Sequence, residues 1–213
     1  MKHRYIAIEG NIGSGKTTLA KMLADRYDAD LVLEQFEDNE FLPRFYADPA
    51  RYAFPVEMTF LAERYGQLNR AHPGESLFAP LTISDYFLSK SLIFAASNLQ
   101  EDELRLFRKV FDIMFRKITK PDLLVYLYST IDRLQENIRI RGRRYEQNIS
   151  SKYLRRIQNR YLDFLHKQSL NTPVMIIDVS KIDFVNDEQA FEEIVDTIRR
   201  SPAKGLHHRV ILG

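Results

Sequence analysis

One short string carries most of the chemistry. Gly10-Asn11-Ile12-Gly13-Ser14-Gly15-Lys16-Thr17 fits the spacing G-x-x-x-x-G-K-[ST]. Glycines at these positions let backbone N–H groups converge on phosphate oxygens without interference from a Cβ. A helix opening at the lysine adds a favourable dipole. Lys16 is placed to reach the β- and γ-phosphates, the Thr17 hydroxyl is a ligand for Mg²⁺, and Thr18 is a further nucleotide contact. The string implies a nucleoside triphosphate, most simply ATP, bound with Mg²⁺. It does not separate a kinase from an NTPase or a GTP-driven switch.

Three further features bear on what accepts the phosphate. Glu34 closes a short apolar run, Leu31-Val32-Leu33. At the carboxyl end of a parallel strand it faces the ligand crevice, where a carboxylate can take the proton of an attacking hydroxyl. A solvated strand-end glutamate is the plain alternative. Asp85 ends Leu81-Thr82-Ile83-Ser84 and is a candidate for holding Mg²⁺ through water, or for capping a helix that begins near Phe87. Arg139, Arg141, Arg143 and Arg144 crowd around Gly142. Guanidiniums this close repel unless an anion lies among them, which suits a lid closing over the transferring phosphate. A solvated basic helix end is the other reading.

The elements that must position these groups alternate strand and helix. Strands are expected at Tyr5-Ile6-Ala7-Ile8, Leu31–Leu33, Leu81–Ser84, Leu123–Leu127 and Val174–Val179. Helices are expected after the glycine-rich turn, over 41–70 in two pieces interrupted by Pro49 and Pro55, over 87–98, 101–118 and from Ile131, then over 151–170 and 188–200. The pattern is α/β: a five-stranded parallel sheet flanked by helices. Residues 1–201 read as one domain with an Arg-rich lid near 141–149. Residues 202–213 read as a C-terminal tail, open to disorder or to a partner contact.

Composition narrows the class. Of 213 residues, 45% are hydrophobic and 28% charged, ordinary for a soluble globular chain. Lys and Arg number 31 against 29 Asp and Glu, a formal charge of +2, too balanced for a nucleic-acid coat. The balance hides a segment, 133–167, with ten basic residues against three acidic ones, which matches a triphosphate-sized partner. With no cysteine there is no disulfide, thiolate metal site or cysteine nucleophile. No apolar run approaches the length of a membrane span, so no membrane partner is expected and a cytoplasmic setting is the simplest.

These residues together resemble the deoxynucleoside kinase family. The resemblance runs from Ile6 to about Ile198. It rests on Glu9 through Thr17, on Glu34, on Phe45-Tyr46 with Pro49 and Arg51, on Ile93-Phe94-Ala95, on Arg141-Gly142-Arg143 with Glu146, and on Ile177-Asp178-Val179. It implies the P-loop kinase fold and transfer of the γ-phosphate of ATP to the 5′-hydroxyl of a deoxynucleoside in nucleotide salvage. Glu34 would then be the general base, Tyr46 and Glu146 would hold the sugar 3′-hydroxyl, Arg141 and Arg143 would be lid arginines, and Arg64 would lie near the base. The family also implies a homodimer built through helices. Three departures fall in the acceptor half. Tyr86 follows Asp85 where the family has an arginine, Glu57 stands for a base-contacting glutamine, and Lys90 or Ser91 stands for an aspartate that helps read the base. Glu57 could pair with Lys90 or Arg64 inside the pocket, or these could be solvated. Two other readings stand beside an active nucleoside kinase: a catalytically weak ATP-binding paralogue, and a kinase for a nucleoside monophosphate or other small hydroxyl compound.

Overall fold

The computed structural model describes residues 2–35, 39–75, 79, 81–201 and 205–210. In chain order the elements are β1 (Tyr5–Gly10), α1 (Lys16–Tyr27), β2 (Asp30–Val32), α2 (Phe41–Ala47), α3 (Pro49–Ala71), β3 (Thr82–Ser84), α4 (Lys90–Asn98), α5 (Glu101–Phe115), β4 (Leu123–Tyr128), α6 (Ile131–Arg141), a 3₁₀ turn (Arg144–Glu146), α7 (Ser151–Gln168), β5 (Val174–Asp178), α8 (Glu188–Arg199) and β6 (Leu206–Val210). The strands form one sheet in the order β2-β3-β1-β4-β5-β6. Every pairing is parallel.

The central strands read as continuous apolar runs because both faces of the sheet are covered. Their period of two divides them between two cores. Ile6, Ile8, Leu123, Val125, Leu127, Met175 and Ile177 pack with α1 and α8. Tyr5, Ala7, Leu124, Tyr126, Val174 and Ile176 pack with residues of α3, α4, α5 and α7.

The chain leaves β1 toward β2 on one side and later returns past it to β4 on the other. That reversal opens a crevice beyond the carboxyl ends of the strands, where α/β sheets bind ligands. The glycine-rich turn follows β1, Asp85 follows β3 directly, and Glu34 lies two residues beyond β2. Three short connections therefore deliver three chemical groups to one crevice.

The architecture departs from the sequence expectation in three places. The sheet has six strands, not five: β6 pairs with β5 from Val174↔Leu206 to Asp178↔Val210, inside the segment read as a tail. Residues 202–204 and 211–213 of that segment lie outside the described residues. Pro49 opens α3 as its first residue, capped by the Asp48 side chain, but Pro55 lies within α3 rather than between two helices. A proline removes one backbone donor, and the buried face formed by Ala53, Val56, Leu61 and Leu68 holds the helix together across it. Finally, α4 begins at Lys90 behind Ser89, so Asp85 is not its cap. Among the described residues no helix is long and apolar enough to cross a membrane.

Ending the chain at Ser201 removes β6 and leaves β5 as a bare sheet edge. Several backbone hydrogen bonds worth about 0.5–1.5 kcal/mol each are lost, so the melting temperature is expected to fall by at least about 4 °C. An unchanged thermal unfolding curve would contradict the pairing.

Candidate active site

The P-loop owes its shape to its glycines. A Cβ on Gly10 would sit 2.3 Å from Ser14 Oγ and 3.2 Å from the Leu127 carbonyl. Gly15, the residue that opens α1, has φ +87°, a left-handed value that L side chains adopt only under strain. Gly10 and Asn11 close the turn rather than line the crevice. Asn11 Nδ2 donates to the Leu154 carbonyl at 2.8 Å, and Asn11 Oδ1 accepts from the Ile12 N–H at 2.9 Å. Ser14 Oγ is buried without a hydrogen-bond partner inside the cradle, which suits a loop built for an anion.

A cavity of about 760 Å³ runs from this loop into the acceptor half, a size typical of small-molecule sites. Ile12 to Thr18, Glu34, Tyr46, Glu57, Arg64, Asp85, Arg141, Arg143 and Glu146 all line it. The structure thus brings together every site residue expected from the sequence except Gly10 and Asn11, which lie just behind it.

Asp85 ties the two halves. Its Oδ2 accepts from the Thr17 hydroxyl at 2.5 Å, and its Oδ1 accepts from the Glu34 N–H at 2.7 Å. Thr17 and Asp85 make an oxygen-only pair beside the P-loop. That pair fits Mg²⁺, which keeps several waters and takes one or two protein oxygens plus phosphate.

Glu34 is gripped by two cations. Arg64 Nε and Nη2 meet its Oε1 at 2.7 and 2.6 Å. Lys90 Nζ meets its Oε2 at 2.6 Å. Both cations are buried, and each also faces an aromatic ring one turn away on its own helix: Arg64 over Phe60 and Lys90 over Phe94. Burial alone would raise the Glu34 carboxyl. Lys90, then Arg64 and Lys16, overcome that and hold it well below the usual carboxylate range. Lys16 is pushed down to about 8, by burial first and then by Lys90, against the pull of Glu34 and Asp85.

The expected pairing of Glu57 with Lys90 or Arg64 does not form, nor is any of the three solvated. Both cations are committed to Glu34. Arg64 spends a further donor, Nη1, on Ser91 Oγ at 2.8 Å. Glu57 instead accepts from Asn98 Nδ2 at 2.6 Å, and its Oε2 is buried without a partner. Burial pushes the Glu57 carboxyl up to about 7, although Asn98, Arg64 and Lys90 pull the other way. Tyr86, at the position where the resemblance implies an arginine, lies outside the cavity lining and donates to Gln67 Oε1 at 2.7 Å. Lys90 of α4 brings a positive charge to Glu34 from a different element.

The lid arginines hold Glu146. Arg141 pairs with its Oε2, and Arg143 Nη1 lies 3.3 Å from its Oε1. Gly142 caps α6 in the left-handed conformation and turns the chain between them. Arg139 and Arg144 are exposed and lie outside the cavity lining. Tyr46 stacks on Tyr145 at 5.8 Å between ring centroids.

Asn98 was not singled out by sequence, and Lys90 and Phe94 were named only through the family resemblance, yet all three line the cavity. Their signal was present as an i, i+4, i+8 stripe on α4, facing Glu57, Phe60 and Arg64 at i, i+3 and i+7 on α3. Nothing in the sequence alone says which face of either helix turns inward.

Comparison with known proteins bears on the family and the fold. A family model described as deoxynucleoside kinase matches residues 6–201. A deoxyguanosine kinase of Bacillus subtilis is 32% identical over 198 residues, covering 92% of this chain and 96% of the relative. A deoxyadenosine/deoxycytidine kinase of the same organism is 28% identical over 202 residues, covering 92% of each. A solved deoxyadenosine kinase from M. mycoides with bound dATP shares the fold, with a TM-score of 0.77 at 21% identity over 92% of this chain and 100% of that one.

Because the folded pKa of Glu34 lies below its unfolded value of about 4.3, its ion pairs stabilise the fold above that pH and are lost as pH falls below it. Glu34→Gln strands two buried cations, an expected cost of about 3 kcal/mol at neutral pH, and flattens the acid decline in stability between about pH 5 and pH 3. Urea unfolding across that range reads both effects. Wild-type stability and slope in the variant would contradict the clamp.

Proposed function

The chain belongs to the deoxynucleoside kinase family, and from that premise we propose that it transfers the γ-phosphate of ATP to the 5′-hydroxyl of a deoxynucleoside at the Glu34 carboxylate. The observation that carries the reading is Glu34 itself, its side chain only 10% exposed and held between the buried Arg64 and Lys90 in the cavity that also holds the P-loop. In the step the 5′-oxygen forms a bond to the γ-phosphorus while the bond from that phosphorus to the bridging oxygen breaks. The hydroxyl proton passes to Glu34, and ADP leaves.

A carboxylate held so far below its usual pKa is a weak base at rest. The incoming triphosphate competes for Lys90 and Arg64, and as they turn toward it Glu34 regains basicity. Catalysis here is mainly positioning and charge neutralisation, as phosphoryl transfer requires. Lys16 binds the phosphates and returns toward its normal pKa beside them. Lys90 supplies the positive charge absent after Asp85. Arg141 and Arg143 exchange Glu146 for phosphate as the lid closes, leaving Glu146 and Tyr46 to the sugar. Thr17 and Asp85 would hold Mg²⁺, which supplies charge neutralisation at the phosphate oxygens.

The reading of a catalytically weak relative rested on the missing arginine, and Lys90 removes that ground. A nucleoside monophosphate suits the acceptor half poorly, since its phosphate dianion would lie against the Glu34 carboxylate. The relatives' names divide among guanine, adenine and cytosine nucleosides. We place the protein in cytoplasmic nucleotide salvage, as its cysteine-free sequence suits a reducing compartment. We read it as a homodimer, in keeping with the outward Leu106 and Ile113 of α5, which lie two turns apart on one helix face.

Glu34→Gln is expected to lower kcat by about 10²-fold or more while ATP still binds, read by steady-state kinetics with a fluorescent ATP analogue as the binding control. Lys90→Met should lower kcat by a similar factor, with partial recovery in Lys90→Arg. Full turnover in Glu34→Gln would discard the proposed base, and full turnover in Lys90→Met would discard the lysine.

A further inference from the structure

The end of the cavity remote from the P-loop holds a polar group that the transfer step does not use. Glu57 lies seven residues before Arg64 on α3, about 10 Å along the helix axis. That span is of the order of a nucleoside's length from the 5′-carbon to the far edge of its base. With the 5′-hydroxyl at Glu34, to which Arg64 reaches back from α3, Glu57 faces where the base ends. The walls between are aromatic: Phe45, Tyr46, Phe60, Phe94 and Tyr153 line the same cavity, and a planar ring packs well against such walls.

Glu57 is 2% exposed. Asn98 Nδ2 satisfies Oε1, and Oε2 is buried with no partner. An unmet buried acceptor is costly in the empty protein, and a ligand donor removes that cost. A carboxylate offers acceptors only, about four lone-pair sites on two oxygens, so Oε1 keeps room for a second bond beside Asn98. Its complement is a ligand edge with two adjacent N–H donors.

Base edges differ in this respect. Guanine presents N1–H and the 2-amino group side by side. Adenine and cytosine each place an amino donor beside a ring nitrogen acceptor, whose lone pair would meet that of the carboxylate. Thymine flanks a single N–H with two carbonyls. We propose that Glu57 makes this a guanine-reading pocket, with 2′-deoxyguanosine as the preferred phosphate acceptor. The assignment rests on the reaction proposed above. Two N–H donors also stabilise the carboxylate over the acid, so binding draws Glu57 fully into its charged form despite its burial.

The test measures kcat/KM at saturating ATP for deoxyguanosine, deoxyinosine, deoxyadenosine and deoxycytidine. Deoxyinosine keeps N1–H and lacks only the 2-amino group, so it reads the pairing without any substitution in the protein. Wild type is expected to favour deoxyguanosine over each of the others by at least about tenfold. In Glu57→Gln the amide accepts and donates, as adenine requires, so the guanine-to-adenine ratio should fall by at least about tenfold. Preference for deoxyadenosine or deoxycytidine, or equal use of deoxyguanosine and deoxyinosine, overturns the assignment while leaving the kinase reaction standing. A guanine-to-adenine ratio unchanged in Glu57→Gln also overturns it. Turnover of no nucleoside overturns the reaction and the assignment together.

Discussion

The site is organised around one carboxylate, Glu34, clamped by two buried cations. Glu34 has two cations on it at hydrogen-bond distance, and neither has a better partner. Removing the carboxylate leaves two charges in a poorly solvated place, and removing a cation lets burial raise the acid. Much of the acceptor half is arranged around this triad. Arg64 fixes the inward face of α3, and Lys90 fixes the start of α4. Ser91 takes the remaining reach of the guanidinium.

The sheet makes that arrangement possible at small cost in chain length. Strands β1, β2 and β3 end at one crevice, so the P-loop, Glu34 and Asp85 converge although far apart in sequence. Asp85 then locks the convergence with one bond to Thr17 and one to the Glu34 backbone. The helices carry the rest of the site. α3 presents Val56, Glu57, Phe60 and Arg64 to the cavity and α4 presents Lys90, Phe94 and Asn98, while α6 and the turn after it bring Arg141 and Arg143 to Glu146. Charges of both signs are thus already paired before any ligand enters.

What the sequence revealed follows from how local each feature is. The P-loop is a contiguous string whose geometry is set by its own glycines, so it was legible in full. Glu34 and Asp85 were legible because strand ends are marked by apolar runs that stop. Lys90 was visible only as an oddity. Its role depends on which face of α4 turns inward, and that is decided by packing against α3 and α7 rather than by neighbours in sequence. The fate of Glu57 was left open for the same reason. β6 was missed because Pro202 and Gly205 read as chain release, and His207 and His208 break the apolar run expected of a strand. It forms because β5 would otherwise be an open edge. Pro55 was taken as a break because propensity disfavours it within helices, and a buried face on either side outweighs that local cost.

The central claim is that Lys90 and Arg64 together set the protonation behaviour of Glu34. It is tested most directly by following the Glu34 carboxyl carbon through an acid titration by ¹³C NMR, in wild type and in Lys90→Met. The account predicts that the wild-type carboxyl stays ionised far below the usual value of about 4.3 and that Lys90→Met moves its midpoint upward. A wild-type midpoint at the ordinary value, unmoved by the loss of Lys90, would contradict it.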